Sequence, residues 1–90
     1  MPTDELDDDV RALQASLDEL AEALLALVND SNTPDLMRGK FRKLARGAVT
    51  RSAKLPALAR QDRAWLRRTR QFAGAVSRVL LDYLNLESEE

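Results

Sequence analysis

Residues 6–27 read LDDDVRALQASLDELAEALLAL. Apolar residues recur through this stretch at alternating steps of four and three, and they are Leu6, Val10, Leu13, Leu17, Leu20, Leu24 and Leu27. Such a heptad pattern puts the apolar side chains on one face of a helix, and chance rarely produces it. The acids at 4–9 suit the positive end of a helix dipole. The stretch predicts a long helix over 4–29.

A second helix is expected over 34–47, after a turn at 29–35. Thr33 is a candidate N-cap, and Pro34 suits the first helical position. The apolar stripe of this helix comprises Met37, Phe41, Leu44 and Ala48. Gly47 could end the helix, and Pro56 cannot lie in an undisturbed helix interior. These residues predict a break within 47–56.

The third helix is expected over 56–86, with Pro56 or Asp62 at its start. Its heptad positions also step by four and three from Leu58 to Leu86 and are apolar except for Asp62 and Thr69, and an acidic tail follows at 87–90. We expect Gly74, inside this helix, to mark a close approach of another helix. No strand-like alternation occurs. The fold class is therefore all-α: one domain over 1–90, a three-helix bundle with two long helices and one shorter helix.

The apolar faces also predict which side chains form the core. The expected core residues are Leu13, Leu17, Leu20, Leu24, Leu27, Phe41, Leu44, Trp65, Phe72, Val76, Val79 and Leu80. A second apolar stripe runs beside the first on helix one, and helix three has a similarly broad face. The residues outside a single seam are Ala21, Leu25, Val28, Leu66 and Leu84. Because a chain of this length has a small core, we expect these five to complete it as a homodimer interface.

Charge is strongly segregated along the chain. Residues 1–30 hold nine acids and one base, residues 31–80 hold thirteen bases and two acids, and residues 81–90 hold four acids. Arginines at helical spacing dominate the basic part, at Arg38, Arg42, Arg46, Arg60, Arg63, Arg67 and Arg70. Arginine stripes suit phosphates and carboxylates, so these seven form a candidate surface for nucleic acid or an acidic partner.

The other interpretation of the arginines is charge pairing with the acidic first helix. A hairpin about residues 31–32 would place Asp18 beside Arg46 and Asp9 beside Lys54. Charge pairing is the favoured interpretation, because the net charge of the chain is −1 and nucleic-acid-binding domains are usually basic.

The chemistry available to the chain is limited. It has no Cys and no His, which removes thiolate ligands, imidazole ligands and the usual general base. The acids at 7–9 point about 100° apart on a helix and cannot converge on one ion. The loop at 30–41 lacks the glycine and the glutamate of a calcium site. Ser52 and Lys54 face apart on a helix and make no dyad. We therefore predict no catalytic, cofactor or metal site and no enzymatic activity.

Function is accordingly expected to be binding. The favoured prediction is a small protein–protein interaction module, such as an adaptor, assembly factor or regulatory inhibitor, that acts through its helical faces. The alternative is a nucleic-acid-binding protein that uses the arginine stripes. Expected partners are a second copy and another protein, with no evident small-molecule substrate. The longest apolar run, at 23–28, is too short to span a membrane, and a cytoplasmic location is expected.

Overall fold

Three helices make up the fold. The computed structural model describes residues 2–88, and the side chains of residues 7–85. The helices are α1 (Pro2–Asn29), α2 (Asp35–Leu58) and α3 (Arg63–Ser88), and residues 2–88 contain no strand. The all-α three-helix bundle is confirmed. The side chains of Leu6 and Leu86 and the expected tail at 87–90 lie outside what is described, apart from the helical backbone to Ser88.

The core consists of two buried clusters that follow each other along the bundle. Leu17, Leu55 and Leu66 belong to the first, and Leu24, Phe41 and Val76 belong to the second. All twelve predicted core residues lie in these clusters or pack against them. The heptad pattern therefore identified the apolar faces correctly.

Small side chains bring α1 and α2 together. Ala21 of α1 and Ala45, Ala48 and Ser52 of α2 are all buried, and α1 makes its most extensive contacts with α2. Side chains of this size let two helix backbones approach closely. Bulkier residues such as Phe72 mediate the packing of α3. The α1–α2 pair is therefore the closely packed part of the bundle.

The predicted break in the second helix is wrong. α2 continues through Gly47 to Leu58, and Gly47 has no positive φ, so it is not a C-cap. A Cβ at Gly47 would lie 3.0 Å from Cζ of Phe72. Arg51 lies over the same ring, with its Cζ 4.0 Å from the ring centroid, and donates a hydrogen bond of 3.2 Å to the Gly47 carbonyl. Gly47 thus provides room for an aromatic ring of α3.

Pro56 lies inside α2, in its last turn. Its missing N–H would have bonded the carbonyl of Ser52, four residues earlier. Gln14 of α1 replaces that donor, because its Nε2 donates to the Ser52 carbonyl at 3.0 Å. The Ser52 hydroxyl donates in turn to Oδ1 of Asp18 at 2.6 Å. These contacts explain why α2 tolerates a proline that was expected to interrupt it.

The two turns also correct details of the predicted helix starts. Pro34, not Thr33, is the N-cap of α2 and makes no side-chain capping bond. The buried Thr33 hydroxyl has no hydrogen-bond partner among the described residues. At the second turn, Oδ1 of Asp62 accepts a hydrogen bond from the Trp65 N–H at 2.9 Å. Of the two predicted starts of α3, Asp62 is therefore correct and Pro56 is wrong.

Gly74 does not mark a helix contact among the described residues. A Cβ built there would meet nothing within 4 Å, so the expected close approach is absent. In the span from residue 2 to residue 88, no helix combines the length and the apolarity needed to cross a bilayer.

Candidate functional site

The arginine stripes do not form one surface. Arg38 is used within the chain, at the turn between α1 and α2. Its Nη2 donates to the carbonyls of Asp30 and Thr33 at 3.2 and 3.0 Å, and its Nη1 lies 3.1 Å from Oδ1 of Asp35. Arg38 therefore fastens the turn and is not free for a ligand.

Two more arginines pair with the acidic beginning of α1. Nη2 of Arg60 contacts Oδ1 of Asp7, and Nη2 of Arg70 lies 3.8 Å from Oδ2 of Asp9. Each of these four side chains is at least 44% exposed, so solvent screening leaves each pair worth about 0–1 kcal/mol. The pairs place the acidic end of α1 against the turn between α2 and α3.

The specific pairs predicted from a simple hairpin are wrong. Asp18 bonds Ser52 and not Arg46, and Asp9 pairs with Arg70 of α3 and not with Lys54. The α1–α2 pair is therefore offset from the hairpin register that was assumed. Charge pairing occurs, but it is concentrated at one end of the bundle.

Four of the seven arginines have exposed side chains and no counter-ion among the described side chains. They are Arg42, Arg46, Arg63 and Arg67, and none makes an ion pair within 4 Å to the side chains of residues 7–85. Arg42 and Arg46 lie on successive turns of α2, whereas Arg63 and Arg67 lie on the first turns of α3. The two pairs are separated along the bundle by the C-terminal half of α2, which spans roughly 20 Å at 1.5 Å per residue.

Arg42 and Arg46 border a groove formed by α1 and α2. Its lining residues are Leu25, Arg42, Ala45, Arg46, Val49 and Thr50. Because none of them belongs to α3, the groove lies on the side of the α1–α2 pair that α3 leaves uncovered. Leu25 is 43% exposed and Val49 is 52% exposed, and Ala45 is buried between the helices. We call these six residues the α1–α2 groove.

The groove offers apolar surface and positive charge. Its volume of about 530 Å³ falls in the range of ligand pockets, about 300–1,000 Å³. Such pockets place a few polar groups inside, whereas Arg42, Arg46 and Thr50 are all exposed. The arrangement therefore suits apolar side chains flanked by negative charge better than a polar small molecule.

The five predicted interface residues do not share one face. Ala21 is 5% exposed and Leu66 is 8% exposed, so both belong to the chain's own core, which corrects their assignment to an outer stripe. Val28 is half-buried and packs against the second core cluster. Leu25 lines the α1–α2 groove, and Leu84 lies in a different groove between α1 and α3, with Leu27 and Leu80.

Sequence reasoning identified three residues of the α1–α2 groove, namely Leu25, Arg42 and Arg46, in two separate candidate sets. The structure brings those sets together. Sequence reasoning missed Ala45 and Val49. Val49 lies beyond Gly47, where α2 was expected to end, and Ala45 lies outside the stripe that was predicted for this helix. The missed signal was their spacing of four residues beside the arginine stripe, which puts both on one helix face.

Candidate metal ligands are not clustered among the described residues. In that part of the chain, no three acidic side chains lie close enough together to hold a metal ion.

Comparison of the chain with models of protein families, with curated proteins and with solved structures gave no match.

Proposed function

We propose that this chain is a small non-enzymatic protein–protein interaction module and that the α1–α2 groove is its binding surface. The supporting observation is the juxtaposition of Leu25 and Val49 with Arg42 and Arg46. Two large apolar side chains, each 43% exposed or more, lie beside two arginines without a counter-ion among the described side chains. We also infer a cytoplasmic location, from the lack of cysteine.

The proposal is supported less by the exposure of single apolar side chains than by their grouping in one groove beside two arginines. Single exposed apolar side chains are common on protein surfaces. Apolar residues that line one groove and are bordered by arginines are typical of interaction surfaces, where arginine is enriched and often dominates the binding energy. The guanidinium groups of Arg42 and Arg46 remain available for a partner's carboxylates because none of the described acids pairs with them.

Site-specific photo-crosslinking in the source cell tests the proposal. A photoreactive amino acid at Val49 should capture a protein, whereas the same group at Ala75, exposed on α3, should not. Capture must survive nuclease treatment. Equal capture at both positions, or no protein captured at Val49, would show that the groove is not the binding surface.

Nucleic-acid binding is the second candidate. It is favoured by Arg42, Arg46, Arg63 and Arg67, which are exposed and have no ion-pair partner among the described side chains. Counterion release makes such binding strongly salt-dependent. Titration of duplex DNA and single-stranded RNA at about 150 mM salt, where charges are screened beyond about 8 Å, should show weak or no binding under the protein-partner proposal. Submicromolar binding that falls steeply with salt and weakens in R63E/R67E would favour nucleic acid instead.

A homodimer remains a proposal of its own. Since Ala21 and Leu66 are core residues, a second copy would have to use exposed residues such as Leu84 in the groove between α1 and α3. The α1–α2 groove would then stay open for another protein.

A further inference from the structure

We infer that the occupant of the α1–α2 groove is an acidic amphipathic helix of a partner protein. This inference rests on the proposed function and adds the chemistry of the partner. It combines the shape of the groove, the placement of its apolar residues and the sign of its charge.

The groove has the geometry that receives a helix. α1 and α2 run side by side at close distance because their contact is built from small residues such as Ala21 and Ala48. α3 covers one side of this pair and leaves Leu25 and Val49 exposed on the other. A helix placed there would pack on the α1–α2 pair opposite α3 and would complete a four-helix arrangement, a common solution for helical domains.

The apolar residues define which partner side chains would contact the groove. Ala45 and Val49 are four residues apart on α2, and Leu25 faces them from α1. A helix that binds in such a groove contacts it through apolar residues at i, i+3, i+4 and i+7. The occupant is therefore amphipathic, with a narrow apolar stripe.

The charge of the groove sets the sign of the partner. The charged lining residues are Arg42 and Arg46, and they lie four residues apart on the same edge. Carboxylates one helical turn apart on the partner would meet them in register, with the bidentate geometry that arginine favours. Nucleic acid would satisfy the two guanidinium groups but would leave the apolar side chains of Leu25 and Val49 without a role, which is why a protein helix is favoured.

The test uses the full chain and two synthetic helices of about four turns that share one apolar stripe. One carries glutamates on both flanks of the stripe, and the other carries lysines at the same positions. Binding is measured by fluorescence anisotropy, and the site is mapped by amide chemical-shift changes in the chain. We expect the acidic helix to bind at least tenfold more tightly, with the shift changes centred on Leu25, Ala45 and Val49.

Matched variants locate the charge effect. R42E/R46E should reverse the preference between the two helices, whereas R63E/R67E, with the same change of net charge away from the groove, should keep it. V49D should weaken binding of the acidic helix, whereas L81D, at an exposed leucine of α3, should not. Circular dichroism and thermal unfolding of each variant establish that it is folded.

Three results would overturn the inference: equal binding of the two helices, equal losses in R42E/R46E and R63E/R67E, or shift changes centred on α3. If Val49 still captured a protein in the cell, the proposed function would stand and only the acidic helix would be refuted. If both synthetic helices failed to bind and no protein were captured at Val49, the inference and the proposed function would fall together.

Discussion

The contact of Gln14 with the Ser52 carbonyl predicts an energetic coupling between Gln14 and Pro56. In the native chain, Gln14 donates at 3.0 Å to a carbonyl that the proline cannot serve. Ser52 is only 6% exposed, so water does not readily replace the lost donor. In Pro56→Ala, the new N–H of residue 56 can bond the Ser52 carbonyl, and Gln14 becomes redundant.

The expected magnitudes follow from the cost of leaving a buried polar group unbonded. Gln14→Ala in the native background strands the Ser52 carbonyl and should lower the free energy of unfolding by about 1–3 kcal/mol. In the Pro56→Ala background, the same change removes one bond of two and should cost about 0.5 kcal/mol. The coupling energy should therefore be about 1 kcal/mol. The effect of Pro56→Ala by itself cancels in the double-mutant cycle.

Urea unfolding of the four chains, at one protein concentration and with a common m-value, measures the cycle. Gln71→Ala, at an exposed glutamine of α3, is the matched control and should cost the same in both backgrounds. If Gln14→Ala also cost the same in both, within about 0.3–0.5 kcal/mol, the explanation of the uninterrupted α2 helix would be wrong.

Three further predictions concern packing and assembly. Gly47→Ala should destabilise the chain by about 1 kcal/mol, because its Cβ would lie 3.0 Å from Cζ of Phe72 and 3.1 Å from Nη1 of Arg51, and both side chains would have to shift. Gly74→Ala, with open space around it, should stabilise the chain by about 0.5–1 kcal/mol. Thermal unfolding that ranks the two variants the other way would contradict the packing described. Leu24→Ala, at a fully buried residue, should lower the free energy of unfolding by about 2–5 kcal/mol, and the neighbouring Leu25→Ala should lower it by less than about 1 kcal/mol. If chemical unfolding gave equal losses for the two variants, the face assignment of α1 would be wrong. Light scattering at micromolar concentration should give the mass of a dimer that Leu84→Asp dissociates, and a monomeric native chain would remove the homodimer proposal.

The long helices and their apolar faces could be predicted because the signal is local. The apolar seam from Val10 to Leu27 repeats over several turns, and apolar residues at helical spacing over that length indicate an amphipathic helix. The end of α2 could not be predicted from local signals. Pro56 and Gly47 are helix breakers by propensity, and the groups that make them tolerable, Gln14 and Phe72, lie on other helices.

The candidate site was predicted in part for a related reason. Arg42 and Arg46 stood out through their spacing and charge, and Leu25 through its place beside the main seam. That these three lie together depends on the register between α1 and α2, which the sequence pattern leaves open. Ala21 was assigned to a stripe outside the main seam. It is buried instead, and small residues of this kind allow the two helices to approach closely.

The register between the helices also explains why Arg42 and Arg46 have no ion-pair partner among the described side chains. The antiparallel pair places the acidic start of α1 beside the end of α2. There Arg60 pairs with Asp7, and Arg70 of α3 pairs with Asp9. Farther along α1, Asp18 is engaged by the hydroxyl of Ser52. Asp7 and Asp9 therefore pair with arginines at one end of the bundle, while Arg42 and Arg46 lie toward the other end. A chain with almost no net charge thus keeps a local positive edge beside exposed leucine and valine, and this is the combination that an acidic amphipathic helix complements.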